Sequence, residues 1–113
     1  MAVINSVKFG EVEIDKKIYY SDMIIWWTGD KEFRLKSDIF TMKEFLEIMK
    51  KNPRVIVIGT GFIGSMKIAS DVKRVAASHK INIFVDSSER AAEIFNGFIK
   101  DKKHAVAIIR TTG

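Results

Sequence analysis

Cysteine and glutamine are absent from the 113 residues, proline occurs once, and histidine appears only as His79 and His104. Without cysteine there is no thiol nucleophile, no disulfide and no cysteine zinc site. Two histidines leave little for a histidine-led metal centre, and no metal is expected. No apolar run approaches the roughly 18 residues that a membrane span needs. The N-terminus, MAVINSVKFGEVEID, has neither the basic start nor the apolar core of a secretory signal. These absences predict a cytoplasmic chain with no membrane partner. Repeats and low-complexity stretches are also missing.

What is present is ordinary globular composition, 47% hydrophobic and 29% charged. It predicts a single domain over residues 1–113, large enough to bury roughly two-thirds of its unfolded surface without a staple. Lysine, glutamate and isoleucine are common, the compositional habit of heat-loving organisms. Residues 1–52 carry nine Lys+Arg against nine Asp+Glu, whereas residues 53–113 carry ten against five, so the whole +5 lies in the second half. That excess favours an anionic ligand. Nucleic acid is not the expected partner, because no aromatic and basic residues interleave. The cluster Lys100, Lys102, Lys103 and His104 reads as a solvated loop tip.

The first 36 residues read as antiparallel strands. Val12 and Ile14 alternate with Glu11 and Glu13, and Asp15-Lys16 makes a tight turn into Ile18-Tyr19-Tyr20. A second hairpin runs through MIIWW, the turn Thr28-Gly29-Asp30 and Glu32-Phe33-Arg34-Leu35. Met23, Ile25 and Trp27 face one way and Ile24 and Trp26 the other. A strand apolar on both faces is either covered on both or an association surface, and Trp26-Trp27 is the candidate for the latter.

Thr41-Met42-Lys43-Glu44 is a capping box that opens a helix, with Phe40 and Phe45 as its hydrophobic staple. Met42, Phe45, Leu46 and Met49 form its apolar stripe, and Pro53 follows its end. Three later runs are apolar without alternation: Val55–Ile58, Ile83–Val85 and Ala105–Ile109. Such runs are strands buried on both faces, hence a mainly parallel sheet between helices. One amphipathic segment centres on Val72, Val75 and Ala76. Another uses Ala91, Ile94, Phe95 and Phe98, with Asp86 and Glu89 as its N-cap signature.

Gly59-Thr60-Gly61-Phe62-Ile63-Gly64 is a literal G-x-G-x-x-G after a buried strand, and Asp86 follows 22 residues beyond Gly64. In a dinucleotide unit the glycines allow a tight turn and close approach to the pyrophosphate. The acid then takes the ribose hydroxyls. Against that reading, Ser70-Asp71 looks like a fresh N-cap, which would leave residues 65–69 as turn or short extended chain. Phe62, Met66, Ala69, Val72 and Ala76 would equally fit one continuous helix. The 49 residues after Gly64 hold barely one mononucleotide half. The loop is therefore a structural turn, a small-anion site or a nucleotide site.

From Pro53 to Thr112 the chain resembles the small Mth-type domain family, shared by an adipogenesis-associated protein and a mitochondrial complex I assembly factor. The resemblance rests on an apolar strand ending in Gly59-Thr60-Gly61, on Ser88, Ala91, Phe95 and Asn96 in order, and on a last apolar strand leading to Arg110-Thr111-Thr112-Gly113. Ser88 stands where the family has Thr, Arg110 where it has His, and Gly113 where it has Cys, so acid-base or thiol chemistry at that end has no carrier. The resemblance implies a three-layer α/β domain with a mixed, mainly parallel central sheet, helices on its faces and an N-terminal antiparallel β-unit. It implies no established reaction.

If the three apolar strands are parallel, Gly59–Gly61, Asp86, Ser87, Ser88 and Arg110–Thr112 converge where those strands end, as ligand crevices do in open α/β sheets. Glycine-turn amides, a serine hydroxyl and an arginine would suit a carboxylate or phosphate. Alternatively Ser87 and Ser88 only cap a helix and Arg110 is a surface charge. Asn96, a poor helix former placed mid-helix, either contacts a ligand or satisfies a neighbouring backbone group. The expected function is a non-catalytic interaction or assembly module with a small-anion pocket at Gly59–Gly61, no cofactor, and a protein partner or second copy as its associate. The alternative is a nucleotide-binding protein or enzyme using Gly59–Gly64 and Asp86.

Overall fold

A computed structural model describes residues 2–113. The strands are β1 (Ile4–Lys8), β2 (Glu11–Ile14), β3 (Lys17–Tyr19), β4 (Asp22–Trp26), β5 (Lys31–Arg34), β6 (Ile39–Phe40), β7 (Val55–Gly59), β8 (Lys67–Ile68), β9 (Asn82–Asp86) and β10 (Ala105–Ile109). The helices are α1 (Met42–Met49), α2 (Val72–Ser78) and α3 (Ser88–Lys100). None of these helices is long and apolar enough to cross a membrane.

A five-stranded sheet in the order β5-β4-β10-β7-β9 divides the molecule. β10, β7 and β9 are parallel, and β4 and β5 continue the sheet antiparallel. Alternation along the strands feeds two separate cores. On one face Met23, Ile25, Val57, Ala107 and Ile109 pack against Ala91, Phe95 and Ile99 of α3 and against Ile4, Val12 and Ile14 of the three-stranded sheet β1-β2-β3. On the other, Ile24, Trp26, Ile56, Ile58 and Ile108 meet Phe45 and Ile48 of α1 and Val72 and Ala76 of α2. This is a mixed α/β domain in three layers, with the N-terminal β-unit sharing the layer of α3.

Local chemistry explains the elements. Asp15 and Lys16 adopt φ of 50° and 68°, the paired positive values of the two-residue turn that matches hairpin twist. Thr41 caps α1 by accepting from the Glu44 amide at 3.1 Å, and both staple residues, Phe40 and Phe45, are fully buried. The reciprocal half of the capping box does not form: the Glu44 carboxylate takes the Arg34 guanidinium instead. Leu46 is also exposed, because Phe45 and Ile48 make the inward stripe.

Two further expectations change. β9 lies at the sheet edge, so Phe84 and Val85 are partly exposed and are not buried on both sides. The N-cap of α3 is Ser87, accepting from the Arg90 amide, and not Asp86. Trp26 is 2% exposed, with its indole N–H on Glu32, while Trp27 stacks on the His104 ring. β4 is buried throughout, as the covered reading of this strand has it, and Trp27 just beyond it is half-buried.

Candidate functional site

Register brings Ile109, Gly59 and Asp86 side by side at the carboxyl ends of β10, β7 and β9. The convergence of Gly59–Gly61, Asp86–Ser88 and Arg110 follows from that parallel arrangement. Their polar groups, however, serve one another. The Gly61 amide donates to Ser88 Oγ at 3.0 Å, Ser88 Oγ donates to the Arg110 carbonyl, and the Ser88 amide donates to the Gly61 carbonyl. Thr60 places both its amide and its hydroxyl on the Asp86 carbonyl. The Ile63 and Ser65 amides both donate to the backbone oxygen of Gly113. These glycine-turn and serine donors are thus turned onto the chain itself, whereas the buried Arg110 Nε finds no hydrogen-bond partner among the described residues.

The glycines are needed for this closure. A Cβ on Gly59 would lie 2.8 Å from Ser88 Cα, and one on Gly61, at φ 109°, would lie 2.5 Å from the Thr112 carbonyl oxygen. Gly64 has φ 70° but opens to free space and starts no helix; residues 67–68 are extended and α2 begins at Val72. The helix N-terminus that a dinucleotide unit aims at the pyrophosphate is not formed there. Asp86 is exposed and accepts from the adjacent Ser87 amide.

Asn96 is a strut. Its amide group takes the Ile4 N–H at 2.9 Å and gives its own N–H to the Ile4 carbonyl at 2.7 Å, fastening β1 to α3. Arg110 is 4% exposed, not a surface charge; its guanidinium holds the Asp38 carboxylate at 2.6 Å and the Ser37 carbonyl at 2.9 Å.

The open polar site lies at the same end of the sheet but two strands away. Asp22 and Arg34 are register partners on β4 and β5, and Thr111 follows the end of β10. Asp22 Oδ1 accepts from the Thr111 amide at 2.9 Å and from its hydroxyl at 3.0 Å. Arg34 gives Nε to Glu44 Oε2 at 2.6 Å, and Nη2 to Glu44 Oε1 at 2.9 Å and to the Ile39 carbonyl at 3.3 Å. Asp22 Oδ2 and Arg34 Nη1 then face each other across 4.0 Å, too far for a hydrogen bond, with both side chains 4% exposed. Among the described residues neither atom has a hydrogen-bond partner, and the same holds for the buried Thr112 hydroxyl and for Arg110 Nε. Asp22, Arg34 and Thr112 line one cleft of about 340 Å³, rimmed by Tyr20 and Lys36.

Buried polar atoms are nearly always paired, so unpaired atoms on three residues that line one opening single it out as the candidate site. The gap is fixed from both sides. Arg34 cannot turn toward Asp22 without leaving Glu44, and Asp22 cannot advance without leaving Thr111. Thr112 belongs to the stretch Arg110–Thr112 expected at this end of the sheet, whereas Asp22, Arg34 and Lys36 were not singled out by sequence reasoning as site residues.

Residues 4–110 match the model of the family described as "Protein of unknown function (DUF498/DUF598)". A conserved hypothetical protein of Pyrococcus horikoshii superposes with TM-score 0.86 at 24% identity, covering 97% of this chain and 98% of its own. The solved structure described as MT938 gives TM-score 0.83 at 21% identity over 100% of both chains. A Bordetella pertussis protein, described as a Mth938-like domain, gives 0.77 at 10% identity over 99% of this chain and 87% of its own. These likenesses establish the fold. No curated protein matches the sequence.

Proposed function

This chain belongs to the DUF498/DUF598 family of proteins of unknown function, and we propose that it is a non-catalytic cytoplasmic binding module whose site is the cleft over Asp22, Arg34 and Thr112. One observation carries the reading: Asp22 and Arg34, a buried ion pair at 4.0 Å with no hydrogen bond between its facing atoms, are both lining residues of an open cleft.

Binding, rather than catalysis, is supported by how the cleft's groups are held. Asp22 Oδ1 is occupied by Thr111, and Glu44 is occupied by Arg34. The two histidines line a different cleft with Asn52 and Arg54, beside the start of β10, whereas Thr111 follows its end. The glycine turn is a brace in this reading: its donors at Gly61, Ile63 and Ser65 hold Ser88 and Gly113.

The test is an NMR titration of the ¹⁵N-labelled protein with small carboxamide, carboxylate and guanidinium probes. Saturable shifts centred on Gly10, Thr111 and Thr112 are expected for at least one class. If every probe leaves these amides unmoved, the cleft is not a binding site.

A further inference from the structure

We infer that the free edge of β5 pairs antiparallel with the β5 edge of a second copy of this chain, Phe33 against the second copy's Phe33, so that the two five-stranded sheets join into one. This pairing does not depend on whether the Asp22 cleft binds anything.

β5 ends the order β5-β4-β10-β7-β9. The Trp26 N–H donates to the Asp30 carbonyl at 2.9 Å, and the register continues through Ile24 opposite Glu32 and Asp22 opposite Arg34. Antiparallel ladders alternate hydrogen-bonded and non-hydrogen-bonded pairs. Glu32 and Arg34 therefore turn their backbone N–H and C=O to β4, while those of Lys31, Phe33 and Leu35 point off the sheet. No backbone hydrogen bond from another segment reaches these three among the described residues. Nor does the chain fold back over the edge. Beyond Lys36 it turns toward β10, where the Ser37 carbonyl and the Asp38 carboxylate take the Arg110 guanidinium. The edge is apolar as well as open: Phe33 is 72% and Leu35 92% exposed, and Phe33 meets Tyr19 of β3 edge-on with ring centroids 6.2 Å apart.

Charges on an edge strand ordinarily block such pairing. Here they block every register but one. Outward-facing residues must meet outward-facing residues, so a two-fold pairing can be centred on residue 31, 32, 33, 34 or 35. Centred on Lys31, it sets Asp30 opposite Glu32; centred on Leu35, it sets Arg34 opposite Lys36. Centred on Glu32 or on Arg34, it sets that residue opposite itself. Each of these puts like charges face to face, which is destabilising. Centred on Phe33, it sets Glu32 opposite the second copy's Arg34 and Asp30 opposite the second copy's Lys36, opposite charges throughout. Phe33 with Phe33 and Lys31 with Leu35 then exchange both their N–H···O=C bonds. The Phe33 rings become cross-strand neighbours, each beside its own chain's Tyr19, a favourable aromatic pairing. The arrangement is isologous and uses up the single β5 of each chain, so it closes at two copies.

The test is sedimentation equilibrium of the whole protein from roughly 1 μM to 1 mM, the range expected for so small an interface. A reversible monomer–dimer equilibrium is expected. A chain still monomeric at about 1 mM leaves the edge to a strand of another protein or to nothing, and overturns the proposal. An assembly that grows beyond two copies also overturns it.

Asp30→Lys and Lys36→Asp test the register, and both positions are exposed. Either substitution alone sets like charges opposite each other at both ends of the paired edges, and is expected to weaken the dimer about 10-fold or more. An equimolar mixture of the two variants has opposite charges at both ends again and is expected to dimerise like the wild type, a rescue that no misfolded chain can give. A dimer that neither substitution weakens, or weakened variants that the mixture does not rescue, would refute the pairing. Amide exchange in the wild type needs no variant. Well above the midpoint concentration, the Lys31, Phe33 and Leu35 amides are expected to exchange at least 10-fold more slowly than in the monomer, while Glu32 and Arg34, already bonded to β4, change little. Exchange at those three amides that does not depend on concentration would refute the pairing as well.

Discussion

Arg34→Met removes the guanidinium while keeping an unbranched side chain of similar reach. Three hydrogen bonds disappear, two of them charge-assisted bonds to Glu44 and one to the Ile39 carbonyl. Charge-assisted bonds contribute about 1.5–3 kcal/mol each. Glu44 is 21% exposed and regains part of that from solvent, whereas Asp22 is 4% exposed and stays buried without its counter-charge. Removing one member of a buried ion pair costs about 3–5 kcal/mol, and the methionine returns about 1–2 kcal/mol of apolar burial. The net expectation is a loss of about 3 kcal/mol. In urea that lowers the midpoint by roughly 1–3 M at unchanged slope. Adding Asp22→Asn to Arg34→Met should recover about 1 kcal/mol, because it removes the stranded charge. A loss below about 1 kcal/mol for Arg34→Met, or no recovery in the double variant, would show that the pair is solvated and that the buried gap is not as described.

Other consequences are simpler. Gly59→Ala drives a Cβ to 2.8 Å from Ser88 Cα, which is backbone and cannot swing aside; it should cost about 1–3 kcal/mol in thermal or urea unfolding. Asn96→Ala should cost about 1–3 kcal/mol and sharply speed hydrogen exchange at the Ile4 amide, whose acceptor it removes. Thr41→Ala should cost about 1 kcal/mol, read by the same unfolding curves, because the Glu44 amide loses its cap.

Much of the architecture was legible in the chain. Unalternating runs at Val55–Ile58 and Ala105–Ile109 marked central strands, and the T-x-x-E signature placed the start of α1. The end of the sheet where polar groups gather was also readable, because buried parallel strands end together there. Which residues stay open to a ligand was not. The glycine fingerprint drew attention, yet its amides are spent on Ser88 and on the segment leading to Gly113, contacts separated by 27 residues or more. Asp22 and Arg34 gave no local signal. Alternation along Phe33-Arg34-Leu35 would turn the two apolar residues inward, but β5 is an edge strand: Arg34 is buried under α1 while Phe33 and Leu35 are exposed. Glu44 draws Arg34 inward, and a capping-box reading gave that carboxylate a different partner. An acid directly before an apolar strand and an arginine inside a hairpin gain meaning only once register sets them opposite each other.

The central claim is that Asp22 and Arg34 are held apart, each by a partner on its other side. A high-resolution crystal structure of the protein tests this most directly. The account predicts Arg34 bidentate on Glu44, Asp22 on Thr111, and a separation near 4.0 Å between Asp22 and Arg34. A direct Asp22–Arg34 hydrogen bond of about 2.9 Å would contradict it.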